Sequence, residues 1–393
     1  MSWSRGGYSS DANGSKIGIM SNPDLYPVKL QPHAVPKVWG GRELERILDR
    51  QFPGMGPIGE VWVGWDGQRV KNGRWRDQLL RDLVVRWRDA VVGPGLDRAS
   101  YTAFPLLVKF LDARQNLSIQ VHPGDDFARI HEGQPFGKSE MWYVIAAEPG
   151  AVIYQGLSHK LSPTELRRIL EAGSIVDHLA RIEVKPGDVF VNAPGTIHAL
   201  GAGIVIFELQ QSSDLTYRLY DWDRVETTAP RPLHHDHSIA VSDYLPLSVH
   251  QVRPIRLPGL GPDRQFLGVS EYYAAELWTI DQTERVTAHR DRFELVTGLI
   301  GKTQIRIARA SPPAASLAPG DTALVPAGVD SYTLKPIAGP SRVIRSYVPN
   351  LWRDLIVPLR ANDVSDRDIS QLGGDPRTSA LAARLARGEA GAQ

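Results

Sequence analysis

LSIQVHPGDDFARI, residues 117–130, is the stretch that decides how this chain folds. The segment before it, FPLLVKFLDA (104–113), predicts a buried strand that leads into the strand LSIQVH. Gln120 and His122 are two residues apart, and on a β-strand both side chains point to the same face of the sheet. The stretch therefore predicts a strand that presents an amide and an imidazole to one pocket.

Two later segments add further polar groups to this pocket. In FGKSEMWYV (136–144), Glu140 immediately precedes an apolar run. In PGTIHALG (194–201), His198 follows the strand-like segment VFVNAPG. We expect three neighbouring strands or strand ends to bring these groups together.

The combined set of groups is typical of a divalent metal site. Two imidazoles and one carboxylate suit zinc or iron, and the neutral amide of Gln120 leaves a net charge of about +1. A single histidine beside a proline is usually a surface residue, but a glutamate that starts an apolar run is costly to bury unless it is paired or metal-bound. The chain has no cysteine, which excludes thiolate ligands and disulfides.

Composition and charge exclude several classes of function. The chain has 393 residues, of which 42% are hydrophobic and 23% charged, as in ordinary soluble proteins. Its 45 basic and 44 acidic side chains give a formal net charge of +1, so neither a nucleic-acid partner nor a membrane surface is expected. No apolar run is long enough to span a bilayer, and the first 18 residues lack the apolar core of a signal peptide. A cytoplasmic location is therefore the default expectation.

The remainder of the chain is predicted to contain mostly short strands and a few helices. Residues 1–22 are rich in Ser, Gly and Asn and predict a flexible N-terminal tail. The segment QLLRDLVVRWRDAVV has helical apolar spacing. Ser162-Pro163-Thr164-Glu165 has the capping-box pattern of a helix start. Near the C-terminus, SALAARLARGEA predicts a last helix.

An internal repeat predicts two related halves. Pro186-Gly187-Asp188 and Pro319-Gly320-Asp321 each form a turn signal followed by a strand-like run. Eleven residues after the first glycine stands His198, whereas eleven residues after the second stands Ser331, so the second copy has lost this ligand. Two double-sheet β-barrels of jelly-roll type, the cupin architecture, account for the pattern.

The segments quoted above resemble type I phosphomannose isomerases, the zinc-dependent mannose-6-phosphate isomerases. Three more segments agree, namely KVWGGREL (37–44), IGEVW (58–62) and ELQQSSDLTYRLYDWDR (208–224). The resemblance implies a mainly β fold of two cupin-type jelly-roll β-barrels with a helical insertion. The implied divisions are a flexible N-terminal tail, a catalytic barrel with the insertion, a second metal-free barrel, and a C-terminal tail or helix, at residues 1–22, 23–250, 251–360 and 361–393.

The resemblance also implies roles for individual residues. One zinc ion per chain is expected on Gln120, His122, Glu140 and His198. The implied catalytic residues are Arg218, Lys138 and Glu208. The implied substrate-binding residues are Ser118, Lys138, Arg218 and Asp214.

From the residues alone, two of these side chains have other interpretations. From its position alone, Lys138 is better interpreted as a surface lysine on a loop. Arg218 lies among hydrophobic residues, where an ion pair with Asp214 or Asp221 would explain it. The family pattern instead places both cations in the active site, where a guanidinium suits an enediolate or a phosphate.

Histidines outside these segments are predicted to lie outside the site. The run of His234, His235 and His237 is expected on a surface segment. In the second copy, His289 and Glu294 are interpreted as a solvated histidine and a glutamate at a strand start, not as a second metal site.

The reaction implied by the resemblance is the interconversion of mannose 6-phosphate and fructose 6-phosphate by proton transfer through a cis-enediolate. The substrate would be a small sugar phosphate, and the protein a monomer or weak homo-oligomer. An isomerase of another aldose or of a non-phosphorylated sugar is the main alternative. A cupin dioxygenase with iron and a non-catalytic sugar-binding cupin are the others, and the sequence leaves open which residue takes the C2 proton.

Overall fold

The computed structural model describes residues 24–96, 103–224, 231–257 and 262–388. The predicted N-terminal tail, residues 1–22, lies outside the described residues. Within those residues the chain forms 21 strands and eight short α-helices, so the predicted mainly β fold is confirmed.

Residues 24–252 contain thirteen strands and five α-helices in the described ranges. In chain order they are β1 (Val28–Leu30), β2 (His33–Val35), α1 (Glu43–Ile47), β3 (Glu60–Gly64), α2 (Leu80–Val91), β4 (Leu106–Ala113), β5 (Ile119–Val121), α3 (Asp125–Phe127), β6 (Glu140–Ala147), β7 (Val152–Leu157), α4 (Pro163–Glu171), β8 (Leu179–Glu183), β9 (Val189–Asn192), β10 (His198–Leu200), β11 (Ile204–Gln211), β12 (Tyr217–Tyr220), α5 (His235–Val241) and β13 (Gln251–Val252).

Residues 253–388 contain eight strands and three α-helices in the part that the structure describes. In chain order they are β14 (Ile255–Leu257), β15 (Asp263–Val269), β16 (Ala274–Ile280), β17 (Glu284–Thr287), β18 (Glu294–Arg306), β19 (Ala314–Leu317), β20 (Thr322–Val325), β21 (Ser331–Tyr347), α6 (Val357–Arg360), α7 (Asp366–Gln371) and α8 (Ala380–Arg387).

Three antiparallel sheets build the molecule. A seven-stranded sheet has the order β13-β9-β6-β11-β4-β3-β2, and a five-stranded sheet has the order β12-β5-β10-β7-β8. A nine-stranded sheet has the order β1-β20-β18-β21-β16-β15-β14, with β17 paired to β21 and β19 paired to β18. Strands β4 and β11 are buried along their whole length, because both faces of the seven-stranded sheet are covered.

Alternation along the strands divides the apolar side chains between two cores. On β11, Ile206 faces the five-stranded sheet and packs with Trp142 and Leu200. Its neighbour Phe207 faces the other way and belongs to the large core shared with the nine-stranded sheet. The seven-stranded sheet is therefore the middle layer, and the polar pocket described below lies between it and the five-stranded sheet.

Helix α4 covers the outer face of the five-stranded sheet, where Leu166 and Leu170 are buried. The predicted capping box is confirmed, because Ser162 Oγ accepts a hydrogen bond from Glu165 N (3.3 Å) and Glu165 Oε2 accepts one from Ser162 N (2.7 Å). The helix ends before Gly173, whose φ of 66° suits a residue without a side chain. The helix predicted in QLLRDLVVRWRDAVV is confirmed as α2, and the buried strand predicted in FPLLVKFLDA is confirmed as β4.

The seven- and nine-stranded sheets repeat one strand order. Strands β9, β6, β11, β4 and β3 of the first correspond in order to β20, β18, β21, β16 and β15 of the second. The third strand of each sheet begins with a glutamate, Glu140 in β6 and Glu294 in β18. The pairing register repeats as well: Glu208 lies opposite Lys109 in the first sheet, and Arg345 lies opposite Glu276 in the second.

The two halves exchange a strand with each other. Strand β1, from the start of the chain, pairs with β20 of the second half. Strand β13, which opens the second half at Gln251, pairs with β9 of the first half. Each sheet therefore ends in a short strand contributed by the other half, across the boundary expected between residues 250 and 251.

The described strands form open sheets, so closure into two barrels is not confirmed. In the second half, β18 and β21 are 13 and 17 residues long, and the register of their pairing shifts at Gly298 and Ile300. Register irregularities of this kind bend a strand and increase its local twist.

The C-terminal segment, expected as a tail or helix, packs against both halves. Ile369, Leu372 and Leu381 are fully buried. The carbonyl of Leu372 accepts a hydrogen bond from the Val269 amide, and Asp375 accepts one from the Ser248 amide. The predicted last helix is confirmed as α8.

The sequence predicted no bilayer-spanning segment. In residues 24–388, apart from the three short gaps, no helix has the length and apolar character that crossing a membrane requires.

Candidate metal centre

Three strands and one strand end bring the predicted ligands together. Gln120 lies in β5 and is the register partner of His198, the first residue of β10. His122 follows β5 directly, and Glu140 opens β6 on the facing sheet. The turn before β10 depends on Gly195, which has a φ of 88°. The prediction that separate strands aim these groups into one pocket is confirmed.

The two imidazoles and the carboxylate form a buried cluster. The donor atoms of His122, Glu140 and His198 all lie within 4.8 Å of one another, and each residue is at most 1% exposed. His198 Nε2 lies 3.1 Å from Glu140 Oε1, and His122 Nε2 lies 3.4 Å from Glu140 Oε2. This spacing brings the three groups close enough to contact one ion.

The hydrogen bonds of the two imidazoles fix the tautomer that a metal needs. His122 Nδ1 donates to Leu215 O (2.8 Å), and His198 Nδ1 donates to Thr196 O (2.8 Å). Both Nε2 atoms then carry a lone pair toward the cluster. Burial, together with the Lys138 ammonium, lowers the pKa of His122 to about 3, so this ring is neutral at physiological pH.

The amide of Gln120 completes a fourth position. Its terminal group lies 3.5 Å from His122 Nε2 and 3.4 Å from His198 Nε2. Since a half-turn exchanges the amide oxygen and nitrogen, the same position can present the oxygen to a cation. Ser118 Oγ, which is buried, donates to Gln120 Oε1 at 3.4 Å and holds the amide from the other side.

Glu140 carries an oxygen that fits a cation. Its Oε2 is buried and accepts no hydrogen bond of normal geometry, although Lys138 Nζ lies 2.8 Å away. Burial alone would raise the pKa of Glu140, but Lys138 and the two imidazoles hold it well below the usual range, so the group is ionised. An ionised carboxylate next to two Nε2 lone pairs is a donor set suited to a divalent metal.

Lys138 is not a surface lysine. It is 4% exposed, and its Nζ lies 3.0 Å from His122 Nε2 as well as beside Glu140. Its loop is tied down, because Ser139 N donates to Gln211 Oε1 (2.9 Å) and Gly137 N donates to Asp125 Oδ1 (2.7 Å). The alternative of a solvated loop lysine is therefore wrong.

Arg218 makes no ion pair with Asp214 or Asp221 among the described residues. Asp221 instead pairs with Arg224 and Arg231. Arg218 Nη1 donates to Pro232 O (2.9 Å), and its Nε is buried without a partner. Burial lowers the pKa of this guanidinium from its usual value, but a guanidinium stays charged at neutral pH. Unused donors are thus left beside the cluster.

A cavity of about 230 Å³ lies next to the cluster and contains the remaining predicted residues. Ser118, Glu208 and Asp214 line it together with Lys138 and Arg218. Ser118 and Glu208 are buried, whereas Asp214 is exposed at the edge. The structure therefore brings every predicted site residue to the cluster or the cavity beside it.

Glu208 is held by two neighbours. Its Oε1 accepts a hydrogen bond from Trp142 Nε1 (3.0 Å), and its Oε2 lies 3.1 Å from Lys109 Nζ. Burial raises the pKa of Glu208, and the nearby negative charge of Glu140 raises it further. The positive charge of Lys109 lowers this pKa but does not cancel the increase. The balance favours a carboxyl that exchanges a proton closer to neutral pH than an exposed glutamate does.

Three cationic residues of the cavity were missed in the sequence. Lys109 is buried between Glu208 and Glu60, and although burial alone would lower its pKa, these carboxylates keep it raised. Lys37 and Arg231 also line the cavity. The signal for Lys109 was a lone lysine inside the apolar strand FPLLVKFLDA, since a charge in such a place needs a partner.

The other histidines lie outside the cluster. His234 Nδ1 accepts a hydrogen bond from Arg218 N (3.0 Å), and His235 Nε2 lies 3.1 Å from Leu219 O, so this segment braces β12 from outside. In the second half, His289 is 4.0 Å from Asp354. Across the described ranges, no second group of three possible ligands is present.

The sequence and structure were compared with known proteins. A family model described as "Phosphomannose isomerase type I, catalytic domain" matches residues 28–144. The chain is 41% identical over 220 residues to the mannose-6-phosphate isomerase of Streptococcus mutans, which covers 55% of this chain and 67% of the relative. It is 40% identical over 220 residues to a mannose-6-phosphate isomerase of Bacillus subtilis, with the same coverage.

The fold is similar over a longer span. The crystal structure of the mannose 6-phosphate isomerase from Bacillus subtilis superposes with a TM-score of 0.73 at 29% identity. The match covers 82% of this chain and 99% of that chain. Similarity thus extends beyond the segment around the cluster to the arrangement of both halves.

Proposed function

This chain belongs to the type I phosphomannose isomerases, and from that premise we propose that it is a zinc-dependent enzyme that interconverts mannose 6-phosphate and fructose 6-phosphate. The observation that carries the proposal is the buried His122, Glu140 and His198 cluster beside a small polar cavity. The family indicates the substrate class, and the donor set indicates a divalent metal.

The family likeness and the donor set together support zinc as the metal. Two imidazoles and one carboxylate, with no thiolate in the chain, form a donor set that suits zinc. We propose Gln120, His122, Glu140 and His198 as the four protein ligands. When bound, zinc acts as a Lewis acid that makes a hydrogen next to a carbonyl more acidic.

Isomerisation moves a proton between C2 and C1 of the open-chain sugar, so charge develops on the two adjacent oxygens. Arg218 is placed to neutralise that charge, since it lines the cavity with an unused Nε donor. Lys138 also lines the cavity, beside Glu140, and supplies a second cation. Both donors are held in position before the substrate arrives, which lowers the cost of reorganisation.

Glu208 is the proposed proton carrier. It lines the cavity, and its pKa is raised by burial. Lys109 contacts its Oε2 at 3.1 Å and keeps the group from becoming permanently protonated. A carboxylate balanced in this way can accept a proton at one carbon and return it at the next.

The substrate's phosphate is proposed to bind among the cations of the cavity. Five cationic side chains line it, namely Lys37, Lys109, Lys138, Arg218 and Arg231, against the three carboxylates Glu60, Glu208 and Asp214. Ser118 and Asp214 are proposed to contact sugar hydroxyls. Binding energy from a remote dianion would orient the reacting carbons.

The test is a coupled assay on purified protein. Mannose 6-phosphate should be converted reversibly to fructose 6-phosphate, with no use of the C2 epimer glucose 6-phosphate and much weaker use of free mannose. The wrong epimer presents its C2 hydrogen away from the carrier. Equal turnover of free and phosphorylated sugars would retain the isomerase class but reject the phosphate specificity. Oxygen consumption without isomerisation would instead favour a dioxygenase.

Several finer predictions rest on the same premise. The repeated strand order of the two sheets supports two jelly-roll units, of which the first is catalytic. A cytoplasmic location and a monomer or weak homo-oligomer stay predictions.

A further inference from the structure

We propose that a second cavity, in the second half of the chain, binds a compact anion that carries a phosphate or carboxylate group. This cavity has a volume of about 390 Å³ and lies on the nine-stranded sheet. Nothing in the isomerase reaction uses it, and the inference does not depend on that activity.

The second cavity occupies the same place in its sheet as the cavity beside the His122, Glu140 and His198 cluster does in the first half. Thr287 in β17 is the register partner of Ser331 in β21, as Gln120 in β5 is the partner of His198 in β10. Both Thr287 and His289 line the second cavity. The repeat therefore retains a pocket at this position, although the metal ligands are replaced.

The charges at the back of the pocket are inverted between the two halves. In the first half, Lys109 Nζ lies 3.1 Å from Glu208 and 4.0 Å from Glu60, so one cation sits between two carboxylates. In the second half, Glu276 Oε2 lies 2.6 Å from Arg264 Nε and 3.5 Å from Arg345 Nη1.

Strand register places these two triads at equivalent positions. In each triad, the central residue is the register partner of a residue on the neighbouring strand. Lys109 pairs in register with Glu208, and Glu276 pairs in register with Arg345. Glu60 and Arg264 occupy matching places on β3 and β15. The inversion leaves the second triad with an excess of one positive charge, where the first has one negative charge.

Arginines dominate the lining of the second cavity. Five of them line it, namely Arg264, Arg285, Arg292, Arg345 and Arg353, against three carboxylates. The excess of two positive charges equals that of the first cavity, which is built for a sugar phosphate if the proposed function holds. Glu294 lies behind and neutralises part of it through Arg345 (2.7 Å).

Two of these arginines have donors to spare. Arg292 is 5% exposed and pairs with Asp354 through Nη1, but its Nε has no hydrogen-bond partner. It corresponds to Lys138, since each stands two residues before the glutamate that opens its strand. Arg285 is exposed at the edge of the cavity and makes no ion pair within the described ranges. A buried cation with an unused donor and a free guanidinium at the rim form a site for an oxyanion.

The cavity is predicted to bind without catalysing. Its histidine, His289, lies 4.0 Å from Asp354 and belongs to no group of three possible ligands among the residues that the structure describes. We therefore expect an anion to be held by guanidinium groups alone.

The test is equilibrium dialysis of labelled inorganic phosphate against the zinc-loaded full-length protein. We expect two phosphates per chain in the native protein, one in each cavity. Arg285→Glu should abolish the second phosphate, and Arg285→Ala should weaken it about tenfold, the effect of one charge-assisted hydrogen bond. Arg290→Ala is the matched control, because Arg290 is an exposed arginine that pairs with Asp330 outside the cavity.

Activity in the same variants separates this site from the first. Arg285→Ala and Arg285→Glu should retain the kcat and KM of the native protein, which also establishes that both are folded. Competition by succinate would assign a carboxylate ligand, and resistance to succinate would assign a phosphate ligand. A phosphate stoichiometry that Arg285→Glu leaves unchanged, whether one or two per chain, would overturn the proposal, whereas a single phosphate that Arg285→Glu removes would support the second site and count only against the first.

Discussion

The hydroxyl of Tyr273 lies 3.1 Å from the hydroxyl of Ser139, and both residues are buried. Tyr273 precedes β16 of the nine-stranded sheet, whereas Ser139 stands between Lys138 and Glu140 of the metal-side loop. A residue of the second half therefore supports the segment that carries Lys138 and Glu140 in the candidate metal centre.

Tyr273→Phe should lower kcat about threefold to tenfold without loss of metal. The change removes one buried hydrogen bond, of about 1 kcal/mol, and lets the loop carrying Lys138 shift. Steady-state kinetics and metal analysis on the same preparation would measure both effects. Tyr272→Phe is the control, because Tyr272 is the neighbouring residue in the sequence and takes no part in the hydrogen bond between Tyr273 and Ser139. Equal kinetics for the two variants would limit Tyr273 to packing.

His122→Ala and His198→Ala should each lose bound metal together with activity. Each change removes one imidazole from the buried cluster, and metal affinity depends on every direct ligand. Protein purified without added metal should contain about one equivalent of zinc, and a chelator should abolish its activity. His289→Ala is the matched control, because His289 occupies the corresponding position of the second half. Full metal content in His122→Ala would remove the ligand assignment.

Arg218→Lys should lower kcat by on the order of 10²-fold with metal retained. The lysine keeps the charge, but it lacks the planar set of donors that faces the cavity. A change confined to KM would mean that Arg218 binds the substrate and does not act in the transition state. Arg290→Lys, at an exposed ion pair, should leave both constants unchanged.

Acid should destabilise the protein partly through Glu276. Burial opposes ionisation, but Arg345 and Arg264 outweigh it and lower the pKa of Glu276 to about 2. A lowered pKa in the folded state stabilises the protein above the unfolded value of about 4.3, and this contribution disappears as pH falls toward 2. The contribution at neutral pH is on the order of 3 kcal/mol.

Urea unfolding of Glu276→Gln at pH 7, 4 and 3 would measure that contribution. We expect a lower free energy of unfolding at pH 7 and a smaller decrease between pH 4 and 3 than in the native protein. Glu148→Gln is the control, because the Glu148 side chain is largely exposed. An unchanged pH dependence in Glu276→Gln would mean that other carboxylates govern acid unfolding.

The metal site could be predicted because its ligands follow local rules. Gln120 and His122 share a face through their spacing of two, and Glu140 and His198 stand at strand ends, where a side chain points into a pocket. The capping box at Ser162 is local in the same sense. Each of these features needs only a few neighbouring residues to be recognised.

The remaining features depend on contacts between distant residues. Lys109 is explained only by Glu208 and Glu60, which lie on strands 99 and 49 positions away in the sequence. The placement of β1 and β13 could not be predicted, since strands of three and two residues carry no usable periodicity. Prediction therefore failed where pairing over long separations decides the structure.

The exchange of β1 and β13 makes each half incomplete without the other. If the chain were divided in the loop before residue 251, the first fragment would lose the edge strand that covers β9, and the second would lose the one that covers β20. Each fragment would then expose a sheet edge that is paired in the intact chain, and such an edge is a template for pairing with another chain. We expect the two fragments to reassociate through these strand pairs, as a split-protein pair does.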